Sequence, residues 1–300
     1  MRRGATKDFA ERRHQDLLGV YAQDFISIGD KVKILLGGRF DIAAASQKDR
    51  INGVSLDQEN SAFSPRVGVV YQPIAPISLY ASYSRSFQPA RASSRNGDSK
   101  PFEPTIGEQF EVGVKSEFLD GRLAATLAAY QLTKQNIVVT DPNNPRFSLQ
   151  VGEQRSRGIE FDVAGQILPG WNIIASYTYI DPEITEDTRP AYKGDQPISV
   201  PRNSASLWTT YEIQTGSWKG FGFGGGLFFV GDRQGDLPNT FTLPSYVRTD
   251  AVIYYRRDNW RVGLNIKNLF DVNYFESSNS RYGVFPGAPL TVLGTVSWQF

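Results

Sequence analysis

From Gln109 to Phe118, apolar and charged side chains take turns. Phe110, Val112, Val114 and Phe118 occupy one parity, and Gln109, Glu111, Lys115 and Glu117 the other. Successive side chains of a β-strand point to opposite faces, so this spacing specifies a strand with one apolar and one charged face. The alternation recurs in Ile159, Phe161 and Val163 against Glu160, Asp162 and Gln166, and in Trp260, Val262, Leu264 and Ile266 against Arg261, Asn265 and Lys267. No segment of comparable length keeps a helical period. Followed along the chain, the pattern predicts about thirteen strands, near residues 16–28, 32–44, 62–72, 76–87, 107–118, 122–135, 151–167, 171–181, 203–214, 220–231, 247–257, 260–269 and 289–300. The fold class expected is all-β and antiparallel.

The connections alternate in kind. Tight turns at Gly29-Asp30-Lys31, Pro73 to Ala75, Asp120-Gly121, Leu168-Pro169-Gly170, Thr215 to Lys219 and Asp258-Asn259 interleave with long polar stretches near 45–61, 88–106, 136–150, 182–202, 232–246 and 270–288. A soluble sandwich has no reason to sort its loops by parity. A transmembrane barrel of the outer-membrane kind does, with short turns at the periplasmic rim and long loops outside. The last strand then descends from a long loop and ends, at Phe300, on the periplasmic side. Trp171, Tyr177, Tyr179, Trp208, Tyr211, Trp218, Phe228, Phe229, Tyr254, Tyr255 and Trp298 are expected to supply the interfacial girdles. The charged parity cannot face lipid, where each of Glu111, Lys115, Glu160, Asp162 and Arg261 would cost a few kcal/mol near the midplane, so it lines a wet lumen. Such a lumen is a channel or a cavity filled by another polypeptide segment.

Composition agrees and removes other classes. With 32 basic and 31 acidic side chains the net charge is +1, which gives nucleic acid no bulk electrostatic attraction. The absence of cysteine and a single histidine, His14, exclude disulfides, thiolate nucleophiles and metal sites of clustered His and Cys. A mean hydropathy of −0.35 and no apolar run near 18 residues exclude a membrane-spanning helix, and Met1-Arg2-Arg3 is not followed by a signal-peptide core. The 28 glycines, 14 tyrosines and 19 phenylalanines beside one methionine suit strands and turns.

Other motifs lead nowhere chemical. Gly220-x-Gly222-x-x-Gly225 has dinucleotide-binding spacing but runs into Leu227-Phe228-Phe229-Val230, a strand and not a helix N-terminus. Asp141, Asn143 and Asn144 sit between prolines as a loop turn and lack a terminal bidentate glutamate for calcium. His14 falls in a polar leader expected over residues 1–15, remote from any triad, and Glu160 and Asp162 do not converge on a sugar as glycosidase carboxylates do. No catalytic residue, resident metal or cofactor is expected, and no enzyme.

Several ordered stretches resemble one family. Gly19-Val20-Tyr21-Ala22-Gln23-Asp24 followed by Leu35-Leu36-Gly37-Gly38-Arg39-Phe40-Asp41, and Phe63-Ser64-Pro65-Arg66-Val67-Gly68 leading to Leu79-Tyr80-Ala81-Ser82-Tyr83-Ser84-Arg85-Ser86-Phe87, resemble barrel hairpins of TonB-dependent siderophore receptors. So do Gly107 to Lys115, Gln154-Arg155-Ser156-Arg157-Gly158-Ile159-Glu160, Asn265-Ile266-Lys267-Asn268-Leu269-Phe270-Asp271 and Tyr274-Phe275. The similarity covers nearly all of 16–300 and looks nearest to receptors for ferric hydroxamate-type siderophores. Val292, Gly294, Val296, Trp298 and Phe300 share one parity and resemble the terminal signature recognised by the outer-membrane barrel assembly machinery.

The resemblance implies a 22-stranded barrel with an N-terminal plug and an energy-coupling box. On this reading the thirteen strands are expected to match the C-terminal part of such a barrel, without the plug and the coupling box. Residues 16–300 are therefore expected to be a partial barrel domain, not competent alone. The resemblance further implies a ferric siderophore as cargo, energy from the TonB-ExbB-ExbD complex through the N-terminal region, and contact with outer-membrane lipid and lipopolysaccharide. Ligand would meet aromatic and cationic side chains on outer loops and upper lumen. By position these are Tyr83, Arg85, Phe87, Arg91, Arg95, Arg233, Phe241, Tyr274, Phe275, Arg281, Tyr282 and Phe285. The competing readings are a plug-less porin-like channel and a soluble β-rich carbohydrate-binding or adhesion domain.

Overall fold

A computed structural model describes residues 10–51, 53, 55–90, 102–140, 148–237 and 239–300. Its strands are β1 (Glu11–Ile28), β2 (Val32–Asp49), β3 (Ser55–Ile74), β4 (Ile77–Gln88), β5 (Thr105–Phe118), β6 (Leu123–Thr140), β7 (Ser148–Leu168), β8 (Trp171–Glu186), β9 (Asn203–Glu212), β10 (Phe221–Val230), β11 (Arg233–Gln234), β12 (Thr242–Leu243), β13 (Tyr246–Arg257), β14 (Trp260–Lys267), β15 (Phe275–Ser280), β16 (Gly283–Pro286) and β17 (Thr291–Trp298). Thirteen of them form one sheet in the order β1 to β10, then β13, β14 and β17. The ribbons β11/β12 and β15/β16 stand apart, inside the connections from β10 to β13 and from β14 to β17. The sheet is an antiparallel meander, open at β1 and β17, and each of the thirteen expected strands has its counterpart.

At the long-loop end β1, β2, β3, β6, β7 and β8 run further than the sequence expectation, whereas β9, β10, β14 and β17 are shorter than expected. The stretch 45–61 is mostly strand, because β2 runs on to Asp49 and β3 begins at Ser55. β1 reaches back to Glu11, so His14 lies on a strand and its Nε2 is 3.0 Å from Asp16. These extensions are polar, and apolar alternation cannot register a strand that leaves the bilayer. The short-turn end follows expectation more closely. Gly170, with φ of 82°, closes the β7–β8 turn where a Cβ would lie 2.3 Å from the Glu212 carbonyl.

Register carries the apolar parity from strand to strand. Val67 lies opposite Tyr83, Tyr83 opposite Phe110, Val112 opposite Ala129, and Leu127 opposite Phe161. Phe161 faces Tyr177, Ala175 faces Leu207, Leu207 faces Leu227, and Ile253 faces Leu264. Val262 faces Val296, and Trp260 stacks on Trp298 at 4.7 Å. Among the described residues the belt has no protein cover: Val20 is 68% exposed, Val112 57% and Val296 67%. Few apolar side chains are buried at all, Ala128 and Val252 among them. An uncovered apolar face running across thirteen strands is the solvent boundary of a membrane barrel and not of a water-soluble sandwich.

The same register corrects the girdle. Trp171, Tyr177, Tyr179, Tyr211, Phe229, Tyr255 and Trp298 share the belt parity, and Trp218 lies in the β9–β10 turn. Trp208, Phe228 and Tyr254 do not. They pair with Gly226, Arg248 and Gly222 on the opposite, charged face. An aromatic ring near a strand end is tolerated on either face, and the cross-strand partner decides which one it takes.

Candidate functional site

The charged face is built from repeating cross-strand units in which an aromatic ring lies over a glycine directly opposite it. Tyr80 faces Gly113, Tyr130 faces Gly158, Trp208 faces Gly226 and Tyr254 faces Gly222. The cover is close, since a Cβ on Gly222 would lie 2.2 Å from the Tyr254 ring and one on Gly226 2.3 Å from Trp208. Glycine lets the ring fold flat along the wall instead of standing into the lumen.

Polar groups complete these units. Tyr80 Oη donates to Glu111 Oε1 at 2.7 Å, and Gln109 Nε2 donates to Glu111 Oε2 at 2.9 Å. Arg261 lies 4.3 Å over Tyr254, and Arg256 donates to Glu212 at 2.6 Å. Arg248 forks onto both oxygens of Asp250 at 3.0 Å while lying 4.7 Å over Phe228. Arg39 donates to Asp41, whose side chain is buried. Glu111, Lys115, Glu160, Asp162 and Arg261, expected on one lumen face, share it.

At the long-loop end, residues 187–202, 231–245 and 268–290 are tied into one cluster. Arg233 is 2% exposed; its Nη1 donates to the Glu276 carbonyl at 3.1 Å, and its Nη2 to Pro244 and Phe275 at 3.1 and 3.0 Å. Its guanidinium lies 5.2 Å from the Tyr246 ring, which in turn packs 4.3 Å from Tyr274. Ser278 N donates to Ser199 Oγ at 2.9 Å, and Ser278 Oγ donates to the Gly235 carbonyl at 2.6 Å. Gln196 and Asn239 exchange two bonds, 2.8 and 3.0 Å. At the base, Asn268 donates to the Val272 and Ala288 carbonyls and accepts from Val272 N, while its own N–H reaches Asp250 Oδ1 at 2.9 Å.

Two carboxylates in the cluster are pushed in opposite directions. The Thr240 hydroxyl, then the backbone N–H groups of Thr240 and Phe241 and the charge of Arg281, hold Asp236 below the ordinary range. Desolvation raises Asp195, whose Oδ2 is buried without a hydrogen-bond partner among the described residues.

The ligand candidates fall into three groups. Arg233 and Tyr274 are buried struts of the cluster, and Phe241 covers Gly235. Phe275, Arg281, Tyr282 and Phe285 are its exposed members, with Arg281 Nη2 donating to Thr240 Oγ1 at 3.1 Å. Tyr83, Arg85 and Phe87 are elsewhere, on the belt parity of β4: Tyr83 packs 4.9 Å from Phe110, and Arg85 lies 3.8 Å from Glu108. Arg91 and Arg95, with Asp141, Asn143 and Asn144, fall outside the described residues. Of the terminal-strand residues, Val292, Gly294, Val296 and Trp298 face the belt from β17, and Phe300 lies two residues beyond it. Sequence reasoning missed Ser199, Ser278 and Asn239, whose partners lie 43 to 79 residues away and leave no periodic trace. Asn268 had a signal, its place in Asn268-Leu269-Phe270-Asp271 at the end of β14.

Comparison with known proteins agrees with this architecture. A family model described as TonB dependent receptor-like, beta-barrel, matches residues 3–269. The metal-pseudopaline receptor CntO of Pseudomonas aeruginosa is 37% identical over 289 residues, covering 93% of this chain and 40% of that protein. The ferrichrome outer membrane transporter/phage receptor of Escherichia coli K12 is 38% identical over 293 residues, with coverages of 95% and 38%. The crystal structure of the siderophore receptor PiuA from Acinetobacter baumannii superposes with a TM-score of 0.85 at 29% identity, covering 96% of this chain and 44% of that one. The chain thus spans about two fifths of the length of the curated relatives it matches. By fold, by register and by these matches, the chain belongs to the TonB-dependent receptor family and corresponds to part of its β-barrel.

Proposed function

We propose that the chain is barrel wall of an outer-membrane receptor that imports a ferric siderophore, with recognition and passage as its only chemistry. The observation that carries the reading is the two-faced sheet: an uncovered apolar belt for lipid, and opposite it a glycine-relieved, ion-paired wall suited to enclosing a polar filling. The long-loop end is the outside, where ligand and lipopolysaccharide are met, and Phe300 is periplasmic. A plug and the TonB-ExbB-ExbD complex supply gating and energy in the whole receptor, and the β17 face together with Phe300 addresses the chain to the barrel assembly machinery. Relatives named for ferrichrome, ferrioxamine B and metal-pseudopaline match at 38, 32 and 37% identity, which supports a metal chelate, with the hydroxamate class as the specific proposal.

A porin built from this sheet alone is disfavoured by direction. With thirteen strands, β1 and β17 run the same way, so joining these edges within one copy or between copies makes a parallel seam. The test is uptake of radioactive iron as ferrichrome by cells carrying the intact locus, a deletion, or the locus without the coupling partner. Loss in both mutants is expected. Equal uptake in all three would refute energised import, and monodisperse behaviour of the protein without detergent would refute the barrel.

A further inference from the structure

The belt is not level everywhere. Across β13, β14 and β17 its residues stand in rows: Arg257, Trp260 and Trp298 at the short-turn rim, then Tyr255, Val262 and Val296, then Ile253, Leu264 and Gly294. Gly294 interrupts the third row, since a Cβ there would meet nothing within 4 Å, while Val292 and Val296 carry side chains on either side of it. An apolar groove of about 410 Å³ runs past Tyr255, Ile253, Val262, Leu264, Gly294 and Val296. From the first row to the third is about 13 Å at about 3.3 Å per residue, which fits within one leaflet of a hydrocarbon core about 30 Å thick. The rim end of this groove is cationic. Arg256 N donates to the Gly220 carbonyl at 2.8 Å, which carries the β10/β13 register one step beyond Phe221 and Tyr255 and brings Lys219 level with Arg257. Lys219 is exposed, and its side chain makes no hydrogen bond or ion pair to a described residue. Arg257, 77% exposed, lies 3.9 Å from Asp258, itself 87% exposed, so that pair is held in water. Glu212 is engaged by Arg256 on the opposite face. Trp260 and Trp298 stack at 4.7 Å in the row of Arg257.

We propose that this patch is a binding site for one phosphatidylglycerol molecule, its phosphodiester held by Lys219 and Arg257 and one acyl chain laid in the groove past Gly294. An arginine fork matches phosphate oxygens, a lysine ammonium adds a point charge, and indole rings settle at headgroup level. Two cations against one solvated carboxylate leave the patch net positive, which favours an anionic headgroup over a zwitterionic one. A smooth stretch of belt holds no chain in one place. Here the missing side chain at Gly294 supplies a depression, and the paired cations fix one end of it. The inference rests on the membrane-barrel part of the receptor reading, which makes the short-turn rim periplasmic and the lipid one of the periplasmic leaflet.

The test uses the whole receptor in detergent, its folding established by heat-modifiable migration. It is titrated with phosphatidylglycerol or with phosphatidylcholine of the same chains and read by native mass spectrometry. Wild type is expected to retain one phosphatidylglycerol under conditions that strip phosphatidylcholine. K219Q/R257Q and the groove-filling G294L should each weaken retention at least about tenfold. The charge-keeping K219R/R257K should not, nor should K31Q, which removes a charge from another turn of the same rim. Equal retention in all variants means annular lipid only and overturns the site. Sensitivity to G294L alone, with both lipids held alike, overturns the anionic headgroup. A two-receptor mass without lipid that G294L splits assigns the groove to a second copy and overturns the lipid. Should G294L not fold, L264W fills the groove from β14 instead, and K219Q/R257Q against K31Q decides if neither folds. Failure of the receptor reading is a separate result, since a barrel that imports no chelate would still hold the lipid.

Discussion

Replacing Gly158 by alanine probes the ring-on-glycine units most sharply. A Cβ at that position would lie 2.6 Å from Cζ and Oη of Tyr130 and 2.7 Å from the Tyr179 carbonyl oxygen. The ring can swing away only by standing into the lumen and leaving Glu160; the carbonyl belongs to β8, paired along its length to β7, and cannot retreat without moving that strand. Overpacking of this kind costs about 1–3 kcal/mol, against a gain of about 0.5–1 kcal/mol from removing glycine's freedom in a strand. The net expectation is about 1–2 kcal/mol of destabilisation. Gly294 is the control, because a Cβ there meets nothing within 4 Å on the lipid face of β17. Its alanine variant should be neutral or stabilised by up to about 1 kcal/mol. The assay is urea unfolding of the detergent-solubilised receptor carrying this chain, followed by tryptophan fluorescence and by loss of compact migration. Adding Tyr130→Ala to Gly158→Ala should show a favourable coupling of at least about 0.5 kcal/mol, because the ring clash is then gone. Equal stability of the Gly158 and Gly294 variants would refute the idea that these glycines exist to seat rings.

Face assignment predicts a parity effect at neighbouring residues: Phe161→Lys should cost about 2–4 kcal/mol if near the bilayer midplane, whereas Thr178→Lys, on the lumen face opposite Glu160, should cost far less, both read as yield of folded barrel in outer membrane. Arg233→Ala strips donors from three carbonyls and should cost about 2–3 kcal/mol locally, seen as faster exchange or proteolysis of 268–290, while Arg281→Ala, at the exposed rim, should leave that region protected. Asp236, held below its ordinary value by Thr240, contributes order to 231–245 above the unfolded carboxyl value and loses it as pH falls through the lowered one. Protease sensitivity of that loop should therefore rise only below about pH 4, and Asp236→Asn should remove the pH dependence.

How much of this was legible in sequence depends on what carries the signal. Alternation gave the thirteen strands and the face of Glu111, Lys115, Glu160, Asp162 and Arg261, because lipid punishes any error in that pattern. It misassigned Trp208, Phe228 and Tyr254, since an aromatic ring is acceptable on either face and only the partner across the strand, glycine or arginine, reveals which one it takes. It also ended β2 and began β3 too close to the membrane, where both faces become polar and the period disappears. The loop cluster was out of reach. Arg233 and Tyr274 were singled out by type as ligand candidates, yet type alone does not tell a guanidinium that meets a ligand from one that bonds three carbonyls beneath a loop.

Strand length gives the mouth two constructions. A barrel strand needs about 9–11 residues to cross the bilayer, and β9 and β10 have ten each, whereas β1 and β2 have 18, β3 has 20 and β7 has 21. At about 3.3 Å per residue the surplus extends the long strands by roughly 25–35 Å along their own direction past the bilayer. Where the sheet is tall, the wall itself supplies rigidity above the membrane. Where it is short, from β9 onward, the cluster of 187–202, 231–245 and 268–290 stands in that place, tied by Arg233, Ser199, Ser278 and Asn268 instead of by a ladder. Such a cap has fewer backbone bonds per residue than a strand pair and is the lower-stability side of the rim. Its exposed rings, Tyr282, Phe285 and Phe275, ride on that side, whereas Tyr83 is fixed against Phe110 on the belt. Among the described residues, rearrangement on binding of the proposed ligand is therefore expected in the cluster and not in β1 to β3, because the cluster can change partners without breaking a strand ladder.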